Sequence, residues 1–260
     1  MSTSGPSLVF ITGASSGIGQ ALALRYHQAG CRLALVARRS ELMQAWAQEM
    51  GFAPDSYAVY AADVADTDSI VAAAQACIER QGLPDVVIAN AGISIGIDSA
   101  QREDIDAMAR VFATNNIGLA ASFHAFIEAM RVRGSGQLVG IASVAGIRGL
   151  PGHGAYCASK AAVISYCEAL RGELRSTGVQ VITIAPGYVD TPLTRKNRYP
   201  MPFLISAGAF ADQAYKAIAA NDSYCVIPWQ MGLVSKLMPL IPNAMWDRLL
   251  ARQPQKHRGV

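Results

Sequence analysis

The stretch that decides the fold is Leu8-Val9-Phe10-Ile11-Thr12-Gly13-Ala14-Ser15-Ser16-Gly17-Ile18-Gly19. An aliphatic run ends in a turn of small residues, and an amphipathic pattern follows at once. That order reads as strand, tight turn and helix. Gly13 permits the turn, Gly17 lets the backbone approach a pyrophosphate, and Gly19 lets the helix pack close to the strand. The N–H groups around Ser15, Ser16, Gly17 and Ile18, with the positive end of the helix, suit a diphosphate. The segment therefore predicts dinucleotide binding.

Outward from that unit the same alternation recurs. Strands are expected at 7–11, 32–37, 56–61, 86–90, 137–142, 179–185 and 224–227, and helices at 17–29, 41–49, 67–80, 102–132, 156–176 and 208–219. Strand followed by helix, repeated six times, implies an α/β fold of the Rossmann type. The expectation is one domain over 1–260, doubly wound, with a seven-stranded, mostly parallel sheet and helices on both faces. Ligands in such sheets bind beyond the carboxyl ends of the strands, so the residues there are the candidate site.

Composition narrows the function. Of the 260 residues, 52% are hydrophobic and 16% charged, with a net charge of +3 from scattered basic residues. A core is available, and no nucleic-acid footprint is present. Low charge points to surface shared with another copy, hence a homodimer or homotetramer, or to contact with lipid or a lipid-like ligand. The five cysteines contain no CxxC pair, and read as reduced packing residues of a cytosolic protein. No metal cluster is expected. The first ten residues lack the pattern of a secretory signal, and no apolar run is long enough to span a membrane. A soluble, cytoplasmic protein is the expectation.

The glycine spacing is GxxxGxG, with Thr12-Gly13 at its front. With the length of the chain, this resembles the short-chain dehydrogenase/reductase family. The resemblance continues in order through residue 192. Asp63-Val64 resembles the family's adenine-contacting pair, and Asn90-Ala91-Gly92 its NAG motif. Asn115 opens an NxxG pattern, and Ser143, Tyr156 and Lys160 match the Ser…Tyr-x-x-x-Lys triad. Pro186-Gly187, Val189 and Thr191 match the segment that meets the nicotinamide. By this resemblance, Asn115, Ser143, Tyr156 and Lys160 are the catalytic residues, and Ser143 and Tyr156 face substrate. His153, three residues before Tyr156, is expected on the rim of the substrate cleft. Tyr156 and Lys160 lie one helical turn apart, so an ammonium beside the phenol would lower its pKa toward neutrality. Asn115 would link Lys160 to solvent through a water.

The end of the second strand reads Val36-Ala37-Arg38-Arg39-Ser40. Family members using NAD(H) usually place an acid near Ala37. Here Arg38, helped by Arg39, would pair with a 2′-phosphate, so NADP(H) is favoured over NAD(H). The expected activity is interconversion of a secondary alcohol and a ketone, in the carbonyl-reductase direction. An NAD(H)-dependent alcohol dehydrogenase of the same family is the alternative, and a dinucleotide-sensing protein without catalysis is less favoured. The segment at about 191–215 is expected to be a substrate lid, with Tyr199, Met201, Phe203 and Leu204 on its underside. Its Arg195, Lys196 and Arg198 could attract an anionic substrate, although a solvated, mobile cover is their first reading. The apolar stretch at about 229–252 reads as two short helices split at Pro239 and Pro242. Subunit packing or closure over the cleft is its first reading, and weak attachment to a membrane its second.

Overall fold

The computed structural model describes residues 7–195, 197, 200–251 and 258. Seven parallel strands form the central sheet: β1 (Leu8–Thr12), β2 (Arg32–Ala37), β3 (Tyr57–Ala61), β4 (Val86–Ala89), β5 (Gly136–Ile141), β6 (Val179–Pro186) and β9 (Tyr224–Ile227). Their order is β3-β2-β1-β4-β5-β6-β9. Strand order therefore reverses between β1 and β4, and a crevice must open above their carboxyl ends. Two short strands, β7 (Val189–Asp190) and β8 (Ile205–Ser206), pair apart from the sheet.

Alternate side chains of β1 divide the core into two layers. Leu8 and Phe10 join the layer under α3 (Thr67–Gln81), α5 (Gly118–Arg133) and α6 (Gly154–Glu173). Val9 and Ile11 join the layer under α1 (Gly17–Gln28), α2 (Ser40–Glu49) and α7 (Ala207–Ala219). Phe126 meets Phe10 edge-on at 4.8 Å from one side, and Phe210 is fully buried on the other. Because both faces are covered, β1 is buried throughout and apolar up to Thr12 rather than alternating.

Two expectations change. The single helix expected at 102–132 is α4 (Glu103–Phe112), a π-helical turn (Ala113–Ile117) and α5 in succession. Periodicity cannot separate an i→i+5 turn from the α-helix around it. The segment expected as a lid at 191–215 includes the start of α7, which begins at Ala207 and buries Phe210 and Ala211. The C-terminal stretch does split at its prolines, into α8 (Trp229–Leu237), a 3₁₀ turn (Met238–Leu240) and α9 (Asn243–Leu250). Among the described residues no helix is long and apolar enough to cross a membrane, no acid, histidine and cysteine cluster could hold a metal, and all five cysteines are free.

Candidate active site

Each strand of the crevice delivers its terminal residues to one cleft of about 640 Å³. Gly13, Ser15, Ser16, Gly17 and Ile18 line it at the end of β1, where α1 begins. Gly13 has φ +67°, a left-handed conformation that a side chain disfavours. Gly19 lies outside the lining and serves the contact behind it. A Cβ there would come within 2.3 Å of the Gly13 carbonyl oxygen and 2.6 Å of Asn90 Nδ2. Gly17 also takes a positive φ and faces Thr191, so its backbone shape, as well as close approach of a ligand, calls for glycine.

Hydrogen bonds tie β4 to this turn. Asn90 Nδ2 donates to the carbonyls of Thr12 (3.0 Å) and Gly13 (3.3 Å). The buried Thr12 hydroxyl accepts from the N–H groups of Asn90 (3.1 Å) and Ala91 (3.2 Å). Thr12 was not among the expected site residues. Its signal is a polar side chain at the end of an otherwise apolar strand, where buried hydroxyls need partners. Ala91 and Gly92 line the cleft beyond it.

Asn115 is buried and absent from the cleft wall. Its Nδ2 donates to the Ile93 carbonyl (3.0 Å) and to Ser159 Oγ (2.9 Å), while its Oδ1 accepts from Ile93 N–H (2.8 Å). Both N–H groups of this amide are used, so the expected water link from Lys160 would fall to an oxygen of Asn115. The side chain braces the chain after β4 against α6, and the π-helical turn brings it there. Ser159, also unforeseen, donates onward to the Tyr156 carbonyl at 2.8 Å. Arg110 and Thr114 are further cleft residues the sequence did not single out.

Ser143, Tyr156 and Lys160 converge at the inner end. Ser143 follows β5 in extended backbone and caps a 3₁₀ turn, its Oγ accepting from Ala145 N–H at 3.1 Å. Tyr156 and Lys160 stand one turn apart on α6, with Nζ 5.9 Å from the phenol ring centroid. Lys160 is buried and Nζ donates to the Ile141 carbonyl at 2.7 Å. Burial disfavours its ammonium and pushes its pKa down to about 8. Burial also pushes the Tyr156 phenol up, while a hydrogen bond with Ser143 pulls it the other way. The expected lowering by Lys160 does not enter this balance, in which burial is the largest cause. Pro186, Gly187, Val189 and Thr191 complete this end of the cleft.

At the opposite end Arg38, Arg39, Asp63 and Val64 form the wall. Arg38 is largely exposed and lies 3.8 Å from Asp63, a loose contact worth little in water. Arg39 is exposed and precedes α2.

A second cavity, of about 390 Å³, meets the cleft at Ser143, Tyr156, Gly187, Leu193 and Thr194. His153 lines it, buried at the start of α6. Its wall also draws on the polar Ser94, Tyr188 and Asn197, on Leu150, Pro200 and Pro202, and on the inner faces of α8 and α9 through Met231, Val234, Trp246 and Leu250. Phe203 and Leu204 were expected on the lid's underside, yet both are exposed. Arg195 forms a two-pronged pair with Asp190 (2.7 and 3.3 Å) and lines a different groove, beside α1 and α7. It is not available to a substrate in the cavity. Lys196, Arg198 and Tyr199 lie outside the described residues.

Residues 7–201 match the short chain dehydrogenase family. The chain belongs to that family. An uncharacterized oxidoreductase of Myxococcus xanthus is 37% identical over 242 residues, covering 93% of this chain and 95% of the relative. A sulfoacetaldehyde reductase of Chromohalobacter salexigens is 38% identical over 239 residues, 89% of this chain and 88% of the relative. Among solved structures, a short-chain dehydrogenase/reductase of Burkholderia phymatum in complex with NAD superposes over the whole of both chains, with a TM-score of 0.80 at 24% identity. An actinorhodin polyketide ketoreductase with NADPH reaches 0.77 at 28% identity, covering 85% of this chain and 95% of its own. This short-chain dehydrogenase is accordingly an oxidoreductase that acts on CH–OH groups, or the corresponding carbonyls, with a nicotinamide dinucleotide.

Proposed function

We propose that the protein is an NADP(H)-dependent carbonyl reductase. The observation that carries this is the junction of the two cavities. The cleft suited to a dinucleotide and the cavity suited to a substrate share one border, and Ser143 and Tyr156 stand on it. The cleft fits a dinucleotide because the N-terminus of α1 opens on it behind a glycine turn. When bound, the nicotinamide supplies or accepts the hydride. Thr191, Val189 and Gly187 would flank that end, and Lys160 would hold ribose hydroxyls.

Ser143 and Tyr156 would hold the carbonyl oxygen from two sides, which sets its distance and orientation. The raised phenol pKa keeps Tyr156 protonated at neutral pH, the form a reductase needs in its proton donor. In the reverse direction Tyr156 would first have to lose that proton, so alcohol oxidation should need more alkaline conditions. Asn115 acts as a positioning residue, fixing the chain after β4 against the Tyr156 helix through Ser159.

Arg38 supports NADP(H). No acid stands at the end of β2, and a loosely held, exposed guanidinium is ready for a phosphate. We expect the parent to prefer NADPH to NADH in kcat/KM, and Ala37→Asp/Arg38→Ala to reverse the order. Steady-state rates with both cofactors check this. A parent preferring NADH, or a double variant with unchanged preference, would overturn the NADP(H) assignment.

A further inference from the structure

The substrate cavity has a roof built from the far end of the chain, and one side chain fastens it. Pro239 and Pro242 break the C-terminal stretch into α8, the 3₁₀ turn and α9. Proline 242 has no N–H, so the Met238 carbonyl cannot make the i→i+4 bond of a continuing helix. Within the 3₁₀ turn the Met238 carbonyl keeps a long bond, 3.3 Å, from Ile241 N–H. Arg148, five residues after Ser143, supplies further donors to the bend. Its Nη1 donates to the carbonyls of Met238 and Ile241, and its Nη2 to Asn243 Oδ1 at 2.9 Å. Its guanidinium also lies over the Trp246 ring, 4.6 Å from the centroid. Trp246 in turn donates Nε1–H to the Gly149 carbonyl at 3.1 Å. A planar fork with several donors suits this task, and the negative end of a helix favours a cation.

We propose that Arg148 is a positioning residue that staples α8 and α9 over the cavity and thereby sets its selectivity for apolar carbonyl compounds. This rests on the carbonyl-reductase reading. Arg148 is the one Lys or Arg among the described residues lining the cavity, and no described lining residue is acidic. Three of its five N–H groups are committed to carbonyl oxygens and its face to Trp246, so a carboxylate or sulfonate would have to compete with the staple for it. What remains toward the roof is Leu150, Met231, Val234, Met238, Trp246 and Leu250. Such a surface favours a substrate with an alkyl or aryl body of modest size, the reacting carbonyl at Ser143 and Tyr156. Selectivity for that body depends on the roof staying in place, since apolar contact is lost once α8 and α9 move away.

Two measurements on the full chain test this. The first is kcat and KM, with NADPH in excess, for methyl ketones from methyl ethyl to methyl octyl ketone and for sulfoacetaldehyde. In the parent, kcat/KM should rise at least roughly tenfold along the ketone series and be lowest for the anionic aldehyde. Arg148→Met should flatten the series through KM, losing about tenfold on the longest ketone and under threefold on the shortest. Arg148→Lys should not restore the slope, because an ammonium cannot span three acceptors. The second is hydrogen exchange, which needs no turnover. Arg148→Met should speed exchange of the amides in α8 and α9 while those of β1, β4 and β5 remain as protected as in the parent. An unchanged ketone profile in Arg148→Met, unchanged exchange in α8 and α9, or a parent preference for sulfoacetaldehyde would each overturn the proposal. Failure of the parent on every carbonyl compound would instead strike the proposed function, and exchange would still decide the staple.

Discussion

The cleft proposed for the cofactor and the cavity proposed for the substrate meet at Ser143 and Tyr156, yet they are built by different means. The cleft is walled by the ends of parallel strands, and its shape is mostly backbone. Thr12, Asn90 and Asn115 hold those ends by hydrogen bonds to main-chain groups, and the glycines remove side chains where chains must touch. The cavity is walled by side chains from the loop after β5, the segment between β7 and β8, and the C-terminal helices. Its fastenings join residues about as far apart in sequence as Gly149 and Trp246, 97 positions. Backbone geometry of the first kind tolerates little change. Packing of the second kind can be replaced piece by piece, which is how one fold comes to serve many substrates.

That contrast can be broken at the border first. Tyr156→Phe removes the proton donor but leaves the cleft's backbone intact. Turnover should fall about a thousandfold while cofactor affinity, read by fluorescence titration, changes little. Turnover within tenfold of the parent would remove Tyr156 from the role of acid.

A smaller effect tests the claim that the cleft is a backbone structure. Gly19→Ala adds one methyl group against the Gly13 carbonyl and Asn90. Neither neighbour is a flexible side-chain end free to swing, so overpacking should cost about 3 kcal/mol. Chemical denaturation should register it, together with weakened dinucleotide binding. A variant as stable as the parent would mean that the turn yields more easily than its contacts imply.

The smallest effect has the opposite sign. Lys160 is charged and buried, its Nζ donating to the Ile141 carbonyl, and burial lowers its pKa from 10.5 to about 8. Between those values the unfolded chain holds more protons than the folded one, so this group makes stability rise with pH across that window. At neutral pH its charge opposes folding. Lys160→Met should therefore stabilise the protein at pH 7 by roughly 2 kcal/mol, after the lost hydrogen bond is counted. The gain should shrink as pH approaches 10.5, while activity is lost at every pH. Denaturation curves at several pH values check it, and a destabilised Lys160→Met at pH 7 would contradict the buried-charge account.

Much of the architecture could be read before folding. Strand positions followed from short apolar runs, because a sheet covered on both faces needs them. The cleft could be read because its residues come in short motifs at strand ends, where a few neighbours in sequence remain neighbours in space. Gly13 and Gly19 advertise themselves, since steric exclusion leaves glycine as the residue for those positions.

What the chain of residues did not disclose depends on contacts between distant segments. The π-helical turn at Ala113–Ile117 keeps helical periodicity while rotating Asn115 toward Ile93 and Ser159. Arg195 looked like a hook for an anion and is spent on Asp190, while Arg148, unremarkable in sequence, reaches the carbonyls of Met238 and Ile241. The apolar stripes of α8 and α9 announced that those helices must pack, without saying against what. Sequence alone determined the sheet, the dinucleotide cradle and the order of the site residues, because local sterics and burial periodicity act between neighbours along the chain. Tertiary structure alone decided the tyrosine's pKa direction, the partner of each arginine and the shape of the substrate cavity. Desolvation and long-range hydrogen bonding exist only once remote segments have met.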